Sequence, residues 1–296
     1  MQAPQSIREP NIEGADPHPR KPRVVLPPGA CDCHAHVFGP QTQYPYAAAA
    51  KYIPPDATTA QYIHMLKTLG LTRAVLVQPS VYGTDNTAMT DAMKSGLFEF
   101  RGVAVVNPDV TDAELDRLHA VGVRGVRLNL FSVCGGGEML DAARNLAARL
   151  APRGWHLQFY VEVTKTPGLE DFLNSLPLDF VIDHFGHVHA ADGVDGAGFQ
   201  TLLRLARNPK CWFKVMGPYR VSERAPDFPD VTPLARALVA AAPDRVVWGT
   251  DWPHPNIKRM PNDGDLADLL TEWVPDVEAR RRLLVDNPAR LYQFPQ

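Results

Sequence analysis

At 296 residues the chain is too long for a small stapled module, and its 45% hydrophobic and 21% charged residues give the balance of a globular enzyme rather than a disordered or fibrous chain. Thirty basic against 33 acidic side chains leave a net charge of −3, so there is no cationic excess for a phosphate backbone or an anionic bilayer, and neither nucleic acid nor membrane is expected as a partner. No run approaches the roughly 20 apolar residues of a membrane span, and residues 1–25 lack the apolar core of a secretion signal, which predicts a cytoplasmic protein.

Residues 1–29 carry prolines at 4, 10, 17, 19, 22, 27 and 28 among charged side chains, a composition that disfavours helix interiors and central strands, and they read as an N-terminal arm. From residue 30 to 296 the pattern is that of one domain. Runs rich in β-formers stand at 31–37, 73–78, 102–106, 125–130, 156–162, 180–184, 211–216 and 246–251. Between them lie segments of helical period at 60–69, 85–95, 112–120, 138–151, 168–175, 198–207 and 232–242, with a last helix at 280–287. Eight strand–helix units over about 265 residues match a (β/α)8 TIM barrel, and an open doubly wound sheet would need fewer strands. Cys31, Cys33, Cys134 and Cys211 are too few and too scattered for a disulfide framework. Cys31-x-Cys33 has no second pair at a zinc-ribbon spacing, and all four read as free thiols.

In such a barrel chemistry sits at the carboxyl ends of the strands. The first strand reads Cys-Asp-Cys-His-Ala-His, and a period of two places Asp32, His34 and His36 on one face with Cys31, Cys33 and Ala35 on the other. Two imidazoles then point together, which favours a shared role over two isolated core histidines. The sixth strand ends at Asp183-His184 and the eighth runs into Thr250-Asp251-Trp252-Pro253. A carboxylate after a buried apolar run needs partners or a raised pKa, as a catalytic base does, although Asp251 would also serve as a helix N-cap. Arg127 and Arg220 stand where strands four and seven should open into the mouth, and a guanidinium there suits an anionic substrate; the alternative is that they are surface arginines.

His-x-His on strand one, His184 on strand six and Asp251 on strand eight resemble the amidohydrolase superfamily. The likeness is closer to the branch of 2-pyrone-4,6-dicarboxylate hydrolases and related lactonases, including sulfomuconolactone and sugar-acid lactonases, and runs from Pro27 to Tyr292. It is carried by His-Ala-His-Val-Phe-Gly-Pro at 34–40, Ala-Lys-Tyr at 50–52, Gly-Thr-Asp-Asn at 83–86, Gly-Val-Arg at 125–127, Ile-Asp-His at 182–184, Trp-Phe-Lys at 212–214 and Trp-Gly-Thr-Asp-Trp-Pro-His-Pro-Asn at 248–256. The resemblance implies that His34, His36, His184 and Asp251 meet at one mouth, with Asp251 taking a proton from the attacking water, and that Tyr52, Ser80, Arg127, Tyr160, Arg220 and His254 face substrate. Strand five offers Phe-Tyr-Val-Glu at 159–162 where metal-bearing members place a ligand histidine, and strand four lacks their bridging lysine, so no binuclear site is expected.

Members of that branch open lactones without a bound metal, and no cofactor is expected here. The predicted substrate is a small anionic lactone from aromatic breakdown, attacked by Asp251-activated water while His34, His36 and His184 polarise the carbonyl. Val133 stands where the pyrone branch has a second basic side chain, six residues after Arg127, which argues against the pyrone dicarboxylate itself and for a lactone with a different second acid group, such as a sulfonate. His187 and His189 read as solvated loop residues. The competing reading is a mononuclear zinc hydrolase or decarboxylase held by His34, His36, His184 and Asp251, or a lactone isomerase; a binding protein without turnover would lack one of these four groups. Gly135–Gly137 has no following Lys-Ser/Thr for a phosphate loop, Arg280–Arg282 reads as a solvated face, and a monomer or homodimer is expected.

Overall fold

The strands follow one another around a single parallel sheet in the order in which they occur in the chain, as the sequence pattern requires. In this computed structural model, which describes residues 7–130 and 137–295, they are β1 (Cys31–Ala35), β2 (Arg73–Val77), β3 (Glu99–Ala104), β4 (Val123–Asn129), β5 (His156–Tyr160), β6 (Phe180–Ile182), β7 (Cys211–Lys214) and β8 (Val246–Val247). The helices between them are α1 (Thr59–Leu69), α2 (Thr87–Lys94), α3 (Asp112–Val121), α4 (Gly137–Leu150), α5 (Leu169–Asn174), α6 (Ala197–Leu205) and α7 (Val231–Ala241). β1 meets β8 through Cys33 N to Trp248 O at 3.0 Å, Asp251 N to His34 O at 2.8 Å and His36 N to Trp252 O at 2.7 Å, so the sheet comes round to a (β/α)8 barrel. Cys134 and the Gly135–Gly136 part of the glycine run lie outside the described residues, as does Val133.

Local chemistry explains the helix ends. Thr58 caps α1 and exchanges bonds with Gln61 in a capping box, and Thr111 accepts from Glu114 N at the start of α3. The structure departs from the sequence reading near the chain's end. β8 stops after two residues instead of running to Asp251, because the chain turns there and Asp251 takes a left-handed conformation (φ 66°). After it come α8 (Asp263–Asp268) and α9 (Leu270–Trp273), which the pattern did not predict because each is too short to display a helical period. The last helix begins earlier and ends later than 280–287, as α10 (Val277–Arg281), a π-helical turn (Arg282–Asp286) and α11 (Asn287–Tyr292).

Strand parity divides the core into two layers. Cys31, Cys33, Val75, Val77, Val103, Val181, Trp212 and Val247 form an inner cluster inside the barrel, closed from below by Leu291, Tyr292 and Phe294 at the chain's end. The alternate residues, Ala74, Leu76, Ala104, Val126 and Phe159 among them, face the helices. Above this apolar plug, Arg127 of β4, Gln158 of β5 and Lys214 of β7 turn polar side chains inward, while His156 does so at the start of β5. Gly125 is paired with His156, and a Cβ there would stand 2.5 Å from the imidazole Nε2, so glycine at 125 is what lets His156 fill the barrel. Residues 7–29 carry no helix or strand and are tied to the barrel by polar contacts. Asn11 exchanges bonds with Ile53, and Asp268 accepts from Arg20, Arg23 and the amide of Val24. Among the described residues no helix is long and apolar enough to cross a membrane.

Candidate active site

The first strand does not keep a period of two. Asp32 pairs with Ala74 and Ala35 with Leu76, three steps on β1 against two on β2, and this bulge turns both Cys33 and His34 inward. Asp32 therefore points away from the histidines, correcting the expectation of a shared face. It is fully buried against the helix layer and accepts from Tyr62 Oη (2.9 Å), Thr250 Oγ1 (2.6 Å), Thr250 N (2.9 Å) and His34 N (3.0 Å). Burial pushes its pKa up to about 6 against the pull of those donors. The carboxylate thus locks β1, α1 and the segment after β8 together, and Gly249 completes the join. A Cβ at Gly249 would lie 2.8 Å from His34 N.

The four residues expected at the mouth converge. Asp251 Oδ1 lies 3.7 Å from His34 Nε2, 3.8 Å from His36 Nε2 and 3.8 Å from His184 Nε2, and all four side chains are at most 4% exposed. His184 and Asp251 both adopt positive φ, 47° and 66°, an uncommon backbone state for a residue with a Cβ, and here it aims each side chain back over the barrel. The two carboxylate oxygens of Asp251 differ. Oδ2 accepts from Tyr219 Oη at 2.9 Å and Arg220 Nε at 2.6 Å, whereas Oδ1 has no hydrogen-bond partner among the described residues. Burial, reinforced by the nearby cations Lys214, Arg127 and Arg220, holds His34 and His184 well below the ordinary imidazole pKa and brings His36 down to about 4, so all three are neutral at pH 7.

Beneath them lies a charged layer that sequence reasoning missed. Lys214 Nζ donates to Cys33 O at 2.8 Å and Gln158 Oε1 at 2.8 Å, and stands 3.1 Å from His34 Nδ1. An ammonium only donates, so Nδ1 accepts and the proton of neutral His34 sits on Nε2, toward the site. His36 is the opposite: its Nδ1 lies 2.7 Å from the carbonyl of Val77, which only accepts, so Nε2 carries a lone pair. Asp183 Oδ2 accepts from Arg127 Nε at 3.1 Å and Gln158 Nε2 at 3.0 Å. Burial alone would raise the pKa of Asp183, but Lys214 and Arg127 bring it below the usual value. Two groups, His34–His36–Asp251 and His34–Asp183–His184, hold ligand-type atoms within 4.8 Å of one another.

Of the residues expected to face substrate, Tyr52, Ser80, Arg127, Tyr160 and Arg220 line the crevice above Asp251, a space of about 90 Å³. The Arg127 guanidinium lies over the Tyr160 ring at 4.8 Å. Arg220 does more than line it, because its Nε is bonded to Asp251 itself. His254 is not among the residues that line the crevice. It is fully buried behind Tyr219, with Nδ1 2.8 Å from Tyr219 Oη and Nε2 3.1 Å from Asp263 Oδ1, and so supports the wall that carries Tyr219. His187, expected to be solvated, packs edge-on against Tyr160 with ring centres 4.7 Å apart, and burial lowers its pKa to about 3; His189 is exposed. The signal for Tyr219 was its position beside Arg220, and for Lys214 a lysine of inward parity in an apolar strand.

A parallel eight-stranded barrel with imidazoles at the carboxyl ends of β1 and β6 gathered on a carboxylate from the segment after β8 defines a hydrolase-type site at the carboxyl face. The family model for amidohydrolases matches residues 31–294, and the chain belongs to that family. It is 42% identical over 287 residues to the 4-sulfomuconolactone hydrolase of Hydrogenophaga intermedia, covering 96% of this chain and 95% of the relative. It is 44% identical over 285 residues to the 2-pyrone-4,6-dicarboxylate hydrolase of Comamonas testosteroni, covering 93% of each. A crystal structure of a probable 2-pyrone-4,6-dicarboxylic acid hydrolase from Acinetobacter baumannii with citric acid bound superposes with a TM-score of 0.77 at 30% identity, over 90% of this chain and 100% of that one.

Proposed function

We propose that this protein hydrolyses the ring ester of a small acidic lactone of aromatic breakdown, with Asp251 as general base. The observation that carries the reading is the asymmetry of Asp251: Oδ2 is held by Tyr219 and Arg220, while Oδ1 lies within 3.7–3.8 Å of three neutral imidazoles and makes no hydrogen bond among the described residues. A water seated there gives one proton to Asp251 Oδ1 and directs the other at the lone pair of His36 Nε2, leaving its oxygen free to attack the carbonyl carbon. His34, whose Nε2 carries a proton, and His184 then donate to the oxyanion as charge develops. Collapse breaks the ring C–O bond, the alkoxide or enolate leaves with the proton held by Asp251, and the new carboxylic acid ionises. An ester makes modest demands, since its leaving group needs little help. Arg127, with Tyr52, Ser80 and Tyr160 around it, is placed to hold an acid group beside the scissile bond. The names of the relatives support both the reaction class and the acidic substrate.

One observation favours a second reading. His36 Nε2 and Asp251 Oδ1 are both acceptors and face each other at 3.8 Å, which calls for positive charge between them, from the protons of water or from a cation. His34, His36 and Asp251 bring ligand-type atoms within 4.8 Å of one another, and to hold a zinc ion His34 would have to take its other tautomer, which would end its bond from Lys214. Zinc bound there would acidify water or polarise the carbonyl. A pH-indicator screen of lactones with one or two acid groups, before and after chelation and alongside elemental analysis, separates these. Proton release that survives chelation is expected; stoichiometric zinc whose removal abolishes turnover supports the second reading, and no turnover of any lactone overturns the first.

A further inference from the structure

The crevice over Asp251 is too small to enclose a substituted ring. Its volume of about 90 Å³ lies below the roughly 300–1,000 Å³ of ordinary small-molecule pockets. Tyr160, Arg220 and Asn256 line it and also line a second cavity of about 560 Å³ between the loops that follow β7 and β8, so the two spaces lie side by side. The charges around the larger space are mostly committed. Glu223 is paired with Lys258 at 2.9 Å, Asp265 with Arg20 at 2.6 Å, and Arg220 with Asp251 at 2.6 Å. Arg259 also lines it, and among the described residues its guanidinium makes no hydrogen bond or ion pair.

We propose that this side cavity is a second anion subsite, in which Arg259 binds the carboxylate or sulfonate of the substrate that is remote from the scissile ester. The inference rests on the lactonase reading and deepens it: the crevice holds the reacting carbonyl, and the adjoining cavity receives the rest of the molecule. Glu223 and Asp265 do not repel the anion, because each already has a cationic partner, so the uncommitted guanidinium sets the local sign. A planar guanidinium meets a carboxylate or sulfonate with two parallel N–H···O bonds, a geometry lysine cannot reproduce. Arg259 is exposed on a loop and touches none of the buried polar layer, so its replacement leaves the fold and the chemistry intact.

The test is steady-state kinetics of wild type, Arg259→Gln and Arg259→Lys on two lactones of the same ring, one with a single acid group beside the ester and one with a second acid group remote from it. R259Q should raise KM for the two-acid lactone on the order of 10–100-fold, the range for losing a charged hydrogen bond, with kcat held and the one-acid lactone unaffected; R259K should fall between. Equal changes on both lactones, or none on either, would overturn the proposal. Calorimetric titration with citrate as probe reads the subsite without turnover. If wild type opens no lactone yet loses citrate affinity on R259Q, the lactonase reading fails and the subsite stands; if citrate affinity is unchanged, the subsite is wrong.

Discussion

The proposed role of Asp251 as general base rests on the different neighbours of its two oxygens. Replacing it by asparagine keeps the bonds to Tyr219 or Arg220 only in part and removes the proton acceptor, so D251N should lose on the order of 10²–10⁴-fold in kcat while its far-UV circular dichroism stays that of wild type. A folded, nearly active variant would remove Asp251 from the role. The imidazoles give a second expectation. His34 and His184 are held well below the usual pKa by burial and His36 lies at about 4, so none changes charge near neutrality. The kcat/KM profile should therefore be flat from about pH 8 to 6, and an inflection near the ordinary imidazole value of about 6.5 would show that one of them titrates in the free enzyme. These four residues were legible in the sequence because polar side chains at the ends of apolar strands stand out locally. Lys214, Gln158, Asp183 and Tyr219 were not, because their partners lie across the barrel. Lys214 meets Cys33 and His34 of β1 from β7, and nothing local to Trp-Phe-Lys says which strand it faces.

At the scale of elements, each of the eight strands overlaps the run that alternation and breaker residues marked, with β8 cut short, since inward and outward burial leave a period that survives without knowledge of partners. The bulge in β1 was not legible, because an extra residue on one strand is defined only against its neighbour. Its consequence is that Asp32 leaves the catalytic face and becomes a joint between β1, α1 and the Thr250 segment. Asp32→Asn exchanges one acceptor for a donor facing Tyr62, Thr250 or His34 N, and should cost about 2–4 kcal/mol, read as a lower denaturant midpoint with an unchanged m-value. A midpoint like that of wild type would show the joint to be redundant. The β4–β5 pair gives a test of packing: Gly125→Ala forces a methyl against the His156 ring and should destabilise by about 1–3 kcal/mol through overpacking. Indifference in the same denaturation assay would mean that the ring has room to move.

For the whole molecule, the barrel keeps an unusual number of imidazoles neutral inside one domain. Burial is the leading cause in each case: His34 and His184 lie well below the ordinary pKa, His36 falls to about 4, and His156 and His187 to about 3. In the unfolded chain the same side chains titrate near 6.5. Between about pH 6.5 and 4 the unfolded state therefore binds more protons than the native state, and stability rises with pH and falls on acidification. Each such group contributes up to about 1.4 kcal/mol per pH unit; Asp32, which burial raises to about 6, acts in the opposite sense between about pH 6 and 4, so the net slope is that of about four groups, on the order of 3–5 kcal/mol per unit once pH is below 6. Asp268 acts in a lower window. Burial would raise its pKa, but bonds from Arg20, Arg23 and Val24 N bring it to about 2, so its contribution to holding residues 20–24 against α8 is whole above about pH 4 and fades as pH falls toward 2. By then the histidine term has already acted. Urea denaturation at pH 7.5, 6.5, 5.5 and 5.0 should show the midpoint nearly constant between the first two and dropping steeply after them. Replacing His187, which packs against Tyr160 at the edge of the site, with Gln should flatten that slope by about one proton per molecule. A midpoint that is level down to pH 5 would mean that the imidazoles take up protons in the folded state, and that the neutral site on which the chemistry of Asp251 depends is not the one the chain maintains.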